Sequence, residues 1–390
     1  MKEILLVRIG EIVLKGLNRT SFERKLVFNI KDAIKKVGIV KVFNSQGRIY
    51  IEPQEENLNF DYLIDEVIKI FGVVSVSKAY KIKTDFDEIK KASLKYIEEL
   101  LHVKKYNTFK VETKRGDKSF PFDSPHISRE IGAIVLEKFS ELSVDVKKPE
   151  LVLNIEVRES SYIYSEKIKA YGGLPVGTSG KGLLLLSGGI DSPVAGWMMA
   201  KRGLKISAIH FYSYPYTSER SKEKVIDLTK IISKYCLGID LFIVPFTDVQ
   251  LMINDNFPND LSTVILRRFM IRIANTIAIN KGINTLVTGE CLGQVASQTI
   301  QSINATNSIS KIPILRPLIG MDKQEVINIA LKIDTYETSI LPYEDCCTIF
   351  VAKHPKTKPK TDKINEYEEK VEYNKLLEKA IDNTELIKIR

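Results

Sequence analysis

The chain has 390 residues, 44% of them apolar, and carries 58 Lys and Arg against 49 Asp and Glu, a formal charge of +9. That length exceeds one average domain, and the composition is that of a globular protein rather than a disordered one. No apolar run approaches the roughly 20 residues that span a bilayer, and four cysteines in so long a chain are no disulfide framework.

The positive surplus favours a polyanionic partner. Met1-Lys2-Glu3 leads straight into a strand-like run with no secretory signal pattern, so a cytoplasmic protein with no membrane contact is expected. Lys2 to Ile12 alternates as a strand. Residues 18–37 read as an amphipathic helix with Phe22, Leu26, Ile30, Ala33 and Val37 on one stripe. Asn18 or Thr20 would cap it, Glu23 completing a capping box with Thr20. Strands VKVFNS and RIYIEP follow around a Gln46-Gly47 turn, and a second helix spans about 61–71. Residues 1–75 thus predict a small ferredoxin-like α+β unit. Lys15, Asn18, Arg19 and Arg24 gather with Gly10 and Gly16 at the first helix entrance. They read either as a solvated helix start or as a surface for nucleic-acid phosphates.

Residues 76–168 predict a further α/β domain. Val73 to Thr84 is a strand, and a helix begins at Asp85 or Asp87. TFKVETKRGDKSFPFDS is a strand running into a basic loop with Lys114, Arg115, Lys118, Phe120 and Phe122. A helix capped at Ser124 follows, with Pro125 first and Ile127, Ile131, Ile134, Val135 and Phe139 inward. The two phenylalanines either stack on unpaired bases or pin the loop to its own domain. KRGDKSFPF ahead of a helix beginning Ser-Pro resembles the THUMP domain of RNA-modifying enzymes, which implies an RNA-binding half. Residues 169–180, rich in glycine, read as a linker.

From 181 to 390 strands and helices alternate. Near-continuous apolar strands at 182–187, 204–212, 239–246 and 283–289 lie between helices at 192–202, 218–236, 261–281 and 322–333. The pattern predicts a doubly wound parallel sheet covered on both faces, with ligands at the carboxyl ends of the strands. Leu183 to Leu186 end in Ser187-Gly188-Gly189, then Ile190, Asp191, Ser192 and Pro193 start a helix. Such a turn aims backbone N–H groups of a helix N-terminus at a phosphate. Ser187 and Ser192 add hydroxyl donors, and Asp191 can hold the magnesium ion of a nucleotide. Neither the Walker pattern nor G-x-G-x-x-G is present. The string SGGIDSP instead resembles the PP-loop of ATP pyrophosphatases, which cleave ATP between the α and β phosphates to adenylate a substrate.

After the second strand His210 and Phe211 offer a seat for adenine; after the fourth comes TGECLGQVASQT with Gly289, Glu290, Gly293, Gln294, Ser297 and Gln298. Arg268 and Arg272 share a helix face by i,i+4 spacing while Arg267 points elsewhere; in so apolar a helix a buried cation needs an anionic partner. Asp322 caps the last of these helices, and Lys323 stands in its first turn against the dipole. The neighbouring Cys346 and Cys347 cannot readily form a relaxed disulfide. Residues 352–363 are Lys- and Pro-rich and extended, and the charged remainder suits a surface helix.

The whole chain resembles the tRNA 4-thiouridine synthetases, also called tRNA uridine 4-sulfurtransferases. The resemblance rests on RIGEIVLKGLNRTSFE, SGGIDSP, HFYSYPYTSERSKEKV, VILRRFMIRIA, TGECLGQVASQT, RPLIGMDK and PYEDCCTIF, in that order. It implies ATP with Mg2+, a tRNA substrate modified at uridine 8, and a cysteine desulfurase that supplies persulfide sulfur. It implies that Leu185, Leu186, His210, Phe211, Arg267, Gly289 and Gln298 join Ser187, Gly188, Gly189, Asp191 and Ser192 around ATP. By the same resemblance Lys323 stabilises the transferring phosphate, and Cys346, with Cys347 close behind, best matches the catalytic-domain cysteine. Lys15, Asn18, Arg19, Lys114, Arg115 and Lys118 are the candidate tRNA contacts. Longer family members carry a rhodanese domain, absent here, to which a role in thiamine thiazole synthesis is linked; that role is therefore the weaker expectation. The alternatives are a 2-thiouridine or lysidine-type enzyme, which the THUMP-like half disfavours, and an RNA-binding module without catalysis. The oligomeric state stays open, a homodimer included.

Overall fold

A computed structural model describes residues 1–45, 47–55, 57–343 and 355–390. They form two compact units, Met1–Gly173 and Leu174–Arg390. No helix among the described residues is long and apolar enough to cross a membrane.

The first unit runs β1 (Lys2–Ile9), α1 (Arg19–Ala33), β2 (Val40–Ser45), β3 (Arg48–Pro53), α2 (Phe60–Ile68), β4 (Val73–Lys83), α3 (Phe86–Val103), β5 (Thr108–Arg115), α4 (Ser124–Lys138), β6 (Ser143–Val144), β7 (Leu151–Val157), β8 (Ser160–Tyr164) and β9 (Ile168–Lys169). The strands make one sheet in the order β2-β3-β1-β4-β8-β7-β5-β6, with β9 on β4. Period-two alternation sorts its side chains onto two faces. Leu5, Val7, Ile49 and Ile51 meet Leu26 and Ile30 of α1 and Leu63 and Val67 of α2. Ile155 and Ile163 meet Ile89 of α3 and Ile127 and Ile131 of α4. Ile4, Leu6, Tyr50, Ala79, Tyr162 and Tyr164 cluster on the opposite face, where no helix residue joins them.

Three local expectations change. The first strand stops at Ile9 because the chain tightens into 3-10 turns at Glu11–Leu14 and Gly16–Asn18, which bury Ile12. No capping box forms on α1: Glu23 instead accepts from Arg19 (2.7 Å) and from Asn44 (2.7 Å). On α4 the cap is Asp123, whose carboxylate accepts from the His126 N–H, and Ser124 Oγ accepts from the Arg115 N–H at 3.1 Å.

The second unit continues β10 (Lys181–Leu185), α5 (Asp191–Lys201), β11 (Lys205–Tyr212), α6 (Glu219–Cys236), β12 (Ile239–Pro245), α7 (Thr247–Asn256), α8 (Ser262–Asn280), β13 (Thr285–Val287), α9 (Ile300–Asn307), β14 (Ile314–Leu315), α10 (Lys323–Lys332), α11 (Tyr336–Ser339), α12 (Thr361–Glu368), α13 (Asn374–Asp382) and β15 (Glu385–Ile389). The strand order is β14-β13-β10-β11-β12-β15. All pairs are parallel except β12 with β15. β10 to β13 are largely apolar because helices pack on both faces.

The C-terminal segment differs most from its expected surface helix. Several of its sparse apolar positions are used: Ile364, Leu377 and Ala380 enter the core with Phe269, and β15 closes the sheet edge. The same segment supplies the anion that α8 requires. Arg268 is fully buried and donates to both oxygens of Glu368 on α12, at 2.7 and 2.8 Å. Arg272 also bonds Glu368. The glycine-rich stretch is hydrogen-bonded on both sides: Gly172 exchanges backbone bonds with Gly72 and Val73, and Leu174 and Gly177 donate to Lys201 and Gly203.

Candidate active site

At the carboxyl ends of β10, β11 and β13 a cavity of about 280 Å³ opens. Leu185, Leu186, Ser187, Asp191, Ser192, His210, Phe211, Arg267, Gly289 and Gln298 all line it. Gly188 and Gly189 lie in the loop between Ser187 and Asp191 but are not among its lining residues. Ile209, Met270, Ile271, Thr288, Glu290 and Thr306 complete the wall. Of these, Met270 and Ile271 follow Arg267 by three and four residues on α8, so helical spacing points to them. Thr306 sits on α9, a helix that its polar sequence hides.

The loop is held by its own serines. Ser192, in the first turn of α5 and 5% exposed, accepts from the Ser187 N–H at 3.0 Å. The Gly189 N–H donates to Ser187 Oγ at 3.3 Å. These bonds fix the strand-to-helix turn before any ligand arrives, so the N-terminal dipole of α5 is aimed in advance. Gly289 explains how closely the β13 loop approaches. A Cβ there would lie 2.8 Å from Ser192 N and 2.9 Å from Asp191 C, both backbone atoms that cannot swing aside. Gly289→Ala is therefore expected to part the loop from α5 and weaken ATP binding about tenfold, from a strain of roughly 1–3 kcal/mol. Calorimetric titration with ATP checks this; unchanged affinity would refute the packing argument.

Charge is concentrated at the rim. Lys323 Nζ lies 2.6 Å from Asp191 Oδ1, and Gln294 Nε2 donates to Asp191 Oδ2 at 3.0 Å. Asp322 and Glu325 form a full capping box on α10, which sets Lys323 at its first position. The cation that opposed the helix dipole is thus neutralised by the carboxylate that starts α5. Deeper in, Glu290 accepts from Arg267 (2.9 Å), Arg316 (2.7 Å) and Thr288 (2.9 Å). This clamp holds the Arg267 guanidinium at the cavity wall. His210 is buried with Nδ1 at 3.0 Å from the Leu186 carbonyl, which can only accept, so Nδ1 carries a proton. Apolar Leu185, Ile209, Phe211, Met270 and Ile271 suit a flat purine.

The two described cysteines are poor nucleophiles. Complete burial pushes the Cys236 thiol up to about 12. Burial, with Asp191 adding to it, raises Cys291 against the pull of Lys323. Cys346 and Cys347 lie outside the described residues.

In the first unit the expected RNA contacts have mixed settings. Lys114 and Lys118 are exposed, as is Asn18. Lys15 stands over the Phe22 ring at 5.1 Å, and Arg19 pairs with Glu23 at 2.7 Å. Arg115 donates to the carbonyls of Phe120 and Phe122 at 3.2 and 3.4 Å. Phe120 is buried, and Phe122 stacks on His126 at 4.7 Å and packs on Phe86 at 4.6 Å. Both rings pin the loop to its own core.

The sequence matches three family models: a ThiI ferredoxin-like domain over residues 4–77, a THUMP domain over 83–166, and the Thiamine biosynthesis protein (ThiI) model over 177–373. It is 59% identical to the probable tRNA sulfurtransferase of Acetivibrio thermocellus over 389 residues, covering 100% of this chain and 99% of the relative. Against the probable tRNA sulfurtransferase of Alkaliphilus metalliredigens it is 49% identical at the same coverage. The crystal structure of a 4-thiouridine synthetase in complex with RNA and bound ATP is similar over 100% of both chains, with 41% identity and a TM-score of 0.92.

Proposed function

We propose how this chain, which belongs to the ThiI family, carries out ATP-dependent thiolation of tRNA. It is a tRNA sulfurtransferase. The observation that carries the mechanism is the Asp191–Lys323 pair at the N-terminus of α5, directly beside the purine-sized apolar cavity.

ATP lies with its base against Leu185, Phe211 and Met270 and its phosphates on the Ser187–Ser192 turn. The C4 oxygen of uridine 8 attacks the α-phosphorus, and pyrophosphate leaves. This turns a poor electrophile into one whose oxygen departs as AMP. The terminal sulfur of a cysteine persulfide then attacks C4 and displaces AMP, leaving the base joined to that cysteine through an S–S bond. A second thiol attacks the cysteine sulfur, forms a disulfide with it and releases 4-thiouridine, and an external dithiol reduces the disulfide for the next turnover. Lys323 neutralises charge that develops on the transferring phosphoryl group, and the α5 N–H groups hold the departing pyrophosphate. No group of three or more His, Cys, Asp or Glu among the described residues could hold a metal unaided. Magnesium needs less, because it binds through one carboxylate plus substrate phosphates. Asp191 would hold it, where it would screen the phosphate charge.

The sulfur donor is a cysteine desulfurase, and Cys346 receives the sulfur. The raised thiols of Cys236 and Cys291 favour this assignment over the described cysteines. Cys346→Ala is expected to abolish 4-thiouridine while ATP binding persists; full activity there would move the role elsewhere. The reaction class is tested by product analysis. AMP and pyrophosphate should form from ATP only when tRNA is present, and ADP as the product would overturn adenylation.

A further inference from the structure

The sheet face of the first unit opposite α1 to α4 carries a cluster of unbalanced charge. Glu156 on β7 has a side chain only 2% exposed. Three arginines from three other positions converge on it: Arg8 of β1 (3.9 Å), Arg48 of β3 (3.7 Å) and Arg158 just after β7 (3.2 Å). Tyr164 donates to it at 2.9 Å. Lys114 stands opposite Glu156 in the β5–β7 register, and Lys167 lies over the Tyr164 ring.

Two carboxylates, Glu156 and the Glu112 that acts on Lys114 and Lys167, do not balance these five cations. The Arg8 and Arg48 contacts exceed hydrogen-bond distance, and Arg8 Nη2 and Arg48 Nε are buried with no hydrogen-bond partner. A guanidinium N–H withdrawn from water and left unpaired is costly. The cations also act on each other. Desolvation first, and then Arg8, lower the Lys167 pKa. The Glu156 pKa falls although burial opposes it, because Arg48, the Tyr164 hydroxyl, Arg158 and Arg8 together outweigh burial. The arginine side chains keep 13%, 22% and 18% of their surface, so an anion can reach them.

We infer that Arg8, Arg48, Arg158 and Lys167 form a phosphate site on this sheet face, which takes one backbone phosphate of the RNA substrate. The guanidinium fork suits a phosphate, which brings negative charge to the part of these side chains that solvent still reaches. None of the four lies in the loops that the sequence marks as RNA contacts. The RNA assignment rests on the tRNA-thiolation reading; the anion site itself does not.

The test compares wild type with Arg48→Gln and Lys167→Gln, Lys167 being exposed and safe for folding. Inorganic phosphate should raise the melting temperature of wild type and do so less in either variant. Without phosphate Lys167→Gln should not melt lower, since its charge is disfavoured where it stands, whereas Arg48→Gln should melt somewhat lower because it takes a cation from the buried Glu156 carboxylate. In tRNA binding each variant should lose about tenfold affinity at physiological salt, and the slope of log Kd against log salt should fall by about one. Phosphate stabilisation with an unchanged tRNA slope would assign the site to free phosphate and overturn the RNA reading. No phosphate effect and no slope change would overturn the site. If wild type bound no tRNA, the thiolation reading would fail, while the phosphate arm would still report on the site.

Discussion

Asp191→Asn is expected to lower tRNA-dependent AMP formation by about 10²–10³-fold, the scale of removing one preorganised charge from a transition-state site. Its effect on stability should be small. The Asp191 side chain is 21% exposed and its partner Lys323 44%, and exposed pairs contribute about 0–1 kcal/mol. Loss of the carboxylate also frees Lys323 from its 2.6 Å contact, so Lys323→Ala should cost a similar factor. The two residues act on the same phosphates, and the double variant should therefore fall little below either single one. AMP formation within threefold of wild type in Asp191→Asn would remove this pair from the chemistry.

Arg268→Leu is expected to destabilise the second unit by about 3–5 kcal/mol, because it strands Glu368 as a buried anion held only by Arg272. At roughly 2–4 °C per kcal/mol for a unit of this size, the melting transition should fall by about 6–20 °C. Arg268 also donates to the Ala305 carbonyl (2.6 Å) and to Asn365 (2.7 Å), so α9 and α12 lose a common anchor. α9 carries Thr306 of the cavity wall, and ATP affinity should drop in step. Replacing both partners, Arg268→Met with Glu368→Met, should recover much of the loss, since a buried pair is often no better than a well-packed apolar one. A shift below 2 °C in the single variant would contradict the burial argument.

Much of this was legible because the decisive signals are local. The apolar strand, glycine turn and helix start at 182–193 place the phosphate loop, and strand-end positions such as His210 and Gly289 follow from the parallel sheet. Helical spacing showed that Arg268 and Arg272 needed an anion. It could not show that Glu368, 100 residues away, was that anion, because pairing across the core leaves no periodic trace. The same limit hid α9 and the strand β15, whose short, polar sequences gain structure only from their neighbours. Glu290 was visible in its loop, yet its clamp on Arg267 and Arg316 depends on three elements meeting. On the first unit, the phenylalanines of the basic loop suit RNA and packing equally by sequence; the structure buries Phe120 in the core and sets Phe122 against Phe86 and His126.

The central claim is that ATP is used here to place sulfur on a tRNA uridine. It is tested most directly by nucleoside analysis of tRNA after incubation with the protein, ATP, Mg2+, a cysteine desulfurase and cysteine. 4-Thiouridine should appear, should require ATP, and should be absent with Asp191→Asn. Digested tRNA containing no 4-thiouridine, with wild-type protein shown to bind both ATP and tRNA, would contradict it.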